Sequence, residues 1–333
     1  MSTQTVAGGN RTAPERGELV LDVDALDKRF VTRRTFFGRP QSYVHAVNNV
    51  SLKLHAGETL ALVGESGSGK SSTAKLITGL EQPDSGRVTV LGQEWTAVSK
   101  KQLRSQRRHL QMIFQDPFAS LNPMKMVVFN IGEPLIIHEG VGGKELDNRV
   151  LELLDLVGLP STALHRYPHE FSGGQRQRIA IARALAAEPE IIIADEAVSA
   201  LDVSTQAQIL NLLKDIQAER HLSFLFITHD LGVVRQVADR IAVMYLGEIV
   251  ETGDADTIFD RPHQAYTRRL LAAVPEVSFK DREERRLVLE REGVHIDEIL
   301  DPMAENAIET GVPSSGSGVN IEAEANPTAD PRI

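Results

Sequence analysis

Short, mostly apolar runs recur through this chain and are separated by stretches with helical spacing. Residues 58–63, 190–194, 223–228 and 240–244 are such runs. A strand buried on both faces of a sheet reads this way, without alternation. Residues 18–23 and 44–54 predict two further strands, separated by a basic loop carrying Arg33, Arg34 and Arg39, and 86–91 predicts another. Residues 71–80 and 179–186 predict helices, and Val150, Leu151, Leu153, Leu154 and Val157 stand at helical spacings. The whole stretch from Leu121 to about Ala187 is helical in pattern. The expected layout is therefore an α/β core with a long helical insert.

The ends read differently. Residues 1–17 are polar and contain glycine, and from Pro302 onward Ala, Glu, Asn, Pro, Ser and Gly dominate. Neither has the apolar content that offsets chain ordering, so both are expected to be disordered. Between them, 280–292 is a highly charged helical stretch.

Composition narrows the classes. The chain has 333 residues, with 41% hydrophobic and 25% charged, which suits a globular protein with one large or two modest domains. Net charge is −10, most of it in the tail, where eight acids face one base from Asp297 onward. No basic face is implied, so nucleic acid is not an expected partner. There is no cysteine, which excludes disulfides and Cys-ligated zinc or iron–sulfur sites within these residues. No apolar run approaches the roughly 18 residues that span a bilayer, and Met1 to Arg16 lacks a signal-peptide core. The expectation is a cytosolic chain that only a partner holds at a membrane.

The strand at 58–63 runs into Gly64-Glu65-Ser66-Gly67-Ser68-Gly69-Lys70-Ser71-Ser72. Glycines at these positions let backbone N–H groups turn toward a β-phosphate, and the following helix offers its positive end. Lys70 would neutralise β- and γ-oxygens and Ser71 would ligate Mg²⁺. The run at 190–194 ends in Asp195-Glu196, at the strand end where ligands sit in such sheets. Asp195 would hold Mg²⁺ through water, and Glu196 would act as general base on the attacking water. Gln115, in Phe114-Gln115-Asp116-Pro117, can contact both Mg²⁺ and that water. His229 follows the strand at 223–228 and can hydrogen-bond a γ-phosphate. His165 and His169 stand four apart but lack the third ligand that zinc normally takes.

In this order, these motifs resemble the ATP-binding-cassette (ABC) ATPase family over roughly residues 18–275. The resemblance implies Walker A at Gly64–Ser71, the Q-loop at Gln115 and the signature at Ser172-Gly173-Gly174-Gln175. It further implies Walker B and the catalytic acid at Asp195-Glu196, the D-loop at 199–202 with Asp202, and the switch histidine at His229. Gln115 stands 45 residues after Lys70, and His229 stands 34 after Asp195, as the family spacing requires. In the family, the signature of one subunit meets the γ-phosphate bound by another, so ATP closes a dimer and hydrolysis opens it. Adenine stacks on an aromatic residue before the first core strand. Phe30 is the best match and Tyr43 a rival.

Longer stretches are closer still to one branch. Residues 114–123, 167–175, 195–204 and 243–247, with His263-Gln264-Ala265-Tyr266-Thr267, resemble the ATPases of bacterial oligopeptide/dipeptide importers, of the second, F-type kind. The cysteine-rich iron–sulfur segment of many relatives is absent. The implied fold is a RecA-like P-loop core with an N-terminal antiparallel β subdomain and an inserted helical subdomain at about 119–187. The implied cofactors are ATP and Mg²⁺. The implied partners are two membrane permease subunits, a second identical or homologous ATPase subunit and, indirectly, an extracytoplasmic solute-binding protein. The subunit would lie on the cytoplasmic face of the inner membrane. Residues 1–17, 18–275, 276–301 and 302–333 would be a disordered start, the cassette, a charged extension and an acidic tail. Importers of nickel, opines, glutathione or sugars, and a soluble non-transport ABC protein, are the alternatives.

Overall fold

The computed structural model describes residues 14, 15, 17–34 and 40–273. The expectations for 276–333, for Arg39 and for most of 1–17 lie outside these residues.

Along the chain come β1 (Leu19–Arg34), β2 (Pro40–His55), β3 (Thr59–Val63), α1 (Lys70–Ile77), β4 (Ser85–Val90), β5 (Gln93–Glu94), α2 (Lys100–Gln106) and β6 (Leu110–Ile113). A helical stretch follows, with α3 (Pro117–Ser120), α4 (Val127–Ile131), α5 (Glu133–Glu139), α6 (Gly143–Leu156) and α7 (Gly173–Leu185). Then come β7 (Ile191–Asp195), α8 (Val203–Arg220), β8 (Ser223–Thr228), α9 (Leu231–Val237), β9 (Arg240–Tyr245), β10 (Glu248–Asp254), α10 (Ala255–Asp260) and α11 (Ala265–Ala272).

These strands form two sheets. One is antiparallel, in the order β2-β1-β4-β5. The other runs β10-β9-β3-β8-β7-β6, parallel except for β10 against β9. Every residue of β3, β7 and β8 is buried, which explains their continuous apolar reading. Side chains still alternate between faces. Leu60 and Leu62 of β3 pack with α1 and the antiparallel sheet, and Ala61 and Val63 pack with α10 and α11.

Register decides the rest. Val63 pairs with Thr228 and Val243, Asp195 pairs with Ile227, and Ile113 pairs with Ala194. The carboxyl ends of β3, β6, β7 and β8 therefore lie on one edge. Gly64, Gln115, Glu196 and His229 all emerge there, within two residues of a strand end.

Three local expectations are corrected. The first two strands run on as a long hairpin, and Arg33 and Arg34, expected in a loop, pair with Ser42 and Pro40. Cross-strand pairing overrides the polar local sequence here, and the ladder absorbs the extra residues in bulges, with Ala25 at φ 49°. Helix α1 stops at Ile77 rather than Leu80, where Thr78 Oγ1 donates to the Ala74 carbonyl (3.0 Å) and Gly79 turns left-handed at φ 66°. Glycine-rich but without the phosphate-loop spacing, residues 140–144 read from the sequence as a loop, whereas only 140–142 connect α5 to α6, because Gly143 and Lys144 already belong to α6.

Candidate functional site

The loop after β3 is shaped by what lies against it. A Cβ on Gly64 would sit 2.2 Å from the Met244 carbonyl oxygen, and one on Gly69 (φ 110°) 2.1 Å from that of Ala46. Both contacts are far inside van der Waals range and both are with backbone, so only glycine fits. The loop is thus clamped between β9 and β2. It delivers Lys70 as the first residue of α1, 5% exposed.

The Lys70 ammonium donates to the carbonyls of Gly64 (2.7 Å) and Glu65 (2.8 Å). Burial lowers its pKa, while Glu196, Asp195 and Glu65 pull the other way. Ser71 Oγ donates to Asp195 Oδ1 at 3.0 Å. Across the same edge, Glu196 is held from two sides. Gln115 Nε2 donates to its Oε2 at 2.7 Å, and His229 Nδ1 lies 3.0 Å from its Oε1. Glu196 itself takes a left-handed φ of 48°, unusual outside glycine, while its N–H donates to the Ile227 carbonyl at 2.8 Å. A strained residue whose side chain is fixed by two partners is a common sign of a functional position. Five side chains from four separate stretches, Ser71 with Asp195 and Gln115 and His229 with Glu196, therefore meet at the strand edge beside Lys70.

The carboxylate of Asp195 carries a cost. Burial raises its pKa, with Ser71 opposing and Glu196 reinforcing the shift. The folded chain thus holds this proton more tightly than the unfolded chain. Stability falls as pH rises through the carboxylate range, and the ionised acid destabilises the fold at neutral pH. Asp195→Asn keeps the shape and the Ser71 contact. We expect it to raise the melting temperature of the nucleotide-free chain by roughly 1–4 °C in calorimetry. A lowered melting temperature would contradict this electrostatic reading.

The remaining predicted residues stand apart from this cluster. Ser172 is the N-cap of α7, its Oγ accepting the Gln175 N–H (3.3 Å) while Gln175 Oε1 accepts the Ser172 N–H (3.1 Å). Gly173 and Gly174 form the first turn. Asp202 caps α8 in the same way, accepting the Thr205 N–H (2.9 Å) and hydroxyl (2.7 Å). The hydrogen bonds of Ser172, Gln175 and Asp202 are thus spent on their own helix starts. Phe30 pairs with Val44 and Val31 with Tyr43, so the two aromatic candidates face opposite sides of the hairpin. Phe30 is half-buried with the Lys28 ammonium 5.7 Å above its ring, and Tyr43 is 58% exposed. His169 stacks on Tyr167, with ring centroids 5.7 Å apart.

One contact was not foreseen. The Tyr266 hydroxyl of α11 accepts the N–H of Glu65 in the phosphate loop (3.1 Å). Residues 263–267 stood out in the sequence, but a bond spanning 201 positions left no local signal.

Oxygen donors suit a hard cation. A hydroxyl and a carboxylate 3.0 Å apart, Ser71 and Asp195, fit Mg²⁺, which takes few protein ligands and keeps water and phosphate oxygens.

Comparison with known proteins agrees with this geometry. Residues 47–199 match the ABC transporter family, and residues 250–295 match the oligopeptide/dipeptide transporter C-terminal region. The oligopeptide transport ATP-binding protein OppF of Lactococcus lactis subsp. lactis is 51% identical over 270 residues, 80% of this chain and 84% of that protein. The glutathione import ATP-binding protein GsiA of Pectobacterium atrosepticum is 47% identical over 292 residues, 88% of this chain, and the chain spans only 46% of that longer protein. Among solved structures, the ATP-binding cassette MJ0796, a dimer bound to ADP and Pi, superposes with a TM-score of 0.63 at 31% identity, over 71% of this chain and 98% of that one. A CbiO1 cassette from Clostridium perfringens, at 24% identity and a TM-score of 0.63, shares the fold. The strand-edge cluster, the two family matches and half-identity across most of OppF together place this chain in the ABC family of transporter ATP-binding subunits, in the branch carrying the oligopeptide/dipeptide C-terminal region.

Proposed function

We propose that this ATP-hydrolysing cassette drives uptake of a short peptide through two partner permease subunits. The cassette would span 18–275, with its helical subdomain at about 119–187, and would sit at the inner face of the membrane. No described helix is long and apolar enough to cross a bilayer. A solute-binding protein outside the membrane would deliver the cargo.

The observation that carries this reading lies beside Gln115. Leu80, Phe114, Phe118, Phe129, Ile136 and Ile137 are all at least 40% exposed. Leu80 and Phe114 line a cleft of about 170 Å³ between β6 and α7, and the other four expose apolar surface on the helical segment. A cleft that pairs Leu80 and Phe114 with Arg107, Gln111 and Arg183 suits an amphipathic helix. A permease helix seated there would lie next to the Gln115–Glu196 hydrogen bond, so the state of the catalytic acid could reach the membrane subunits.

In the site, Lys70 and the loop amides would bind the β- and γ-phosphates. Phe30 would stack on the adenine. Ser71, Asp195 and Gln115 would hold Mg²⁺, which would neutralise phosphate charge. Glu196 would take the proton of the attacking water at Oε1 or Oε2, and His229 would orient that carboxylate and sense the γ-phosphate. Ser172, Gly173, Gly174 and Gln175 would complete the site of a second cassette, with Asp202 at the shared seam. The relatives named for oligopeptide and glutathione import both carry short peptides in their printed names, which favours that cargo class.

The test is reconstitution of the chain with its permease subunits in vesicles. Tri- to pentapeptide uptake that requires ATP is expected. ATP hydrolysis stimulated by the permeases without any peptide movement would remove the cargo assignment and leave the motor intact.

A further inference from the structure

Helix α11 belongs to the C-terminal region match, outside the 47–199 cassette match, yet it reaches the phosphate loop. Tyr266, its second residue, is 8% exposed and packs with Ala61 and Val63 of β3, Val243 of β9 and Phe259 of α10. Its ring lies 4.2 Å from that of Tyr245. The start of α11 is anchored in turn by Glu251 of β10. That buried carboxylate accepts the N–H groups of His263 (2.7 Å) and Gln264 (3.2 Å).

The N–H of Glu65 and the carbonyl of Gly64 belong to one planar peptide unit, pointing in opposite directions. Tyr266 Oη takes that N–H at 3.1 Å, and Lys70 Nζ donates to that carbonyl at 2.7 Å. One peptide plane is thus gripped at both ends, by the phenol of the C-terminal helix and by the ammonium of the phosphate loop. Hydrogen bonds in such a chain polarise one another and fix orientation. Burial raises the Tyr266 pKa, so the phenol stays protonated and neutral.

Resting on the nucleotide-site reading above, we infer that Tyr266 is a positioning residue for ATP binding. It sets the Gly64–Glu65 peptide plane, and through it Lys70, before nucleotide arrives. The C-terminal region thereby becomes part of the phosphate cradle. Preorganisation of this kind appears in affinity rather than in the chemical step.

The experiment uses the full chain and ATP, with binding followed by titration calorimetry and turnover by phosphate release. Tyr266→Phe keeps the ring and removes the hydroxyl. It should weaken ATP binding and raise KM by about two- to tenfold, the worth of one neutral hydrogen bond, with kcat within about twofold. Leu271→Val loosens the packing of the same helix without touching the hydroxyl and should keep wild-type affinity while lowering the melting temperature. Wild-type or tighter affinity in Tyr266→Phe would overturn the inference. So would an equal loss of affinity in Leu271→Val, because packing rather than the hydroxyl would then be responsible. A wild-type chain that binds no ATP, or binding that survives Lys70→Ala unchanged, would remove the nucleotide-site reading itself and the inference with it.

Discussion

Glu196→Gln should bind ATP much as the wild-type chain does and lose turnover by about 10²–10⁴-fold, the range a general base supplies. The change is close to isosteric. The left-handed backbone at Glu196 and its N–H bond to the Ile227 carbonyl do not depend on the side-chain charge. What is lost is the carboxylate that Gln115 and His229 hold at 2.7 and 3.0 Å, a group free of any helix cap and able to take a proton from water. The variant also removes a negative charge from the neighbourhood of Lys70, where a triphosphate would bring several more. Nucleotide should therefore stay bound, and if hydrolysis reopens the seam as proposed, an ATP-dependent dimer should accumulate. Phosphate-release assays and size-exclusion chromatography with ATP read both effects. Phosphate release near the wild-type rate would remove Glu196 from its role.

The second large effect is complementation between two dead variants. Lys70→Ala loses the phosphate cradle, and Ser172→Arg loses the signature turn, so each alone should be inactive. Within one chain, Ser172 and Gln175 bond to each other at the start of α7, while the cradle bonds to Asp195 and to its own carbonyls. The two halves of the machinery are built on separate elements, which is what a site shared between protomers requires. A mixed dimer pairs an intact Lys70 from one protomer with an intact Ser172 from the other. Random pairing of equal amounts should restore about a quarter of the wild-type sites, since half the dimers are mixed and each mixed dimer has one good site. Activity in the mixture no higher than in either parent would overturn assembly across a self-paired interface. Removing the Ser172 cap itself costs on the order of 1 kcal/mol, too little to account for total loss.

Much of the site could be read from the chain because its chemistry is local. Gly64 to Ser71 is a contiguous segment in which Gly64 and Gly69 answer to backbone contacts from Met244 and Ala46. Asp195 ends, and Glu196 and His229 directly follow, strands that are buried on both faces, so their positions were visible as the ends of apolar runs. Ser172 and Gln175 stand three apart, the spacing of the capping box that the structure forms at the start of α7. The long hairpin was not, because its polar outer half becomes strand only when the partner strand supplies the ladder. Phe30 and Tyr43 could not be told apart as side chains on opposite faces until the pairing Phe30–Val44 was known.

Period, glycine placement and strand-end acids located the phosphate loop and the acid pair, and the resemblance to the ABC family named the other motifs in their order. They could not say which parts touch. Gln115 against Glu196 spans 81 positions, and Tyr266 against Glu65 spans 201. Those meetings depend on parallel register and on where α11 packs. Such packing is a balance of buried area over the whole core, which no single stretch of the chain encodes.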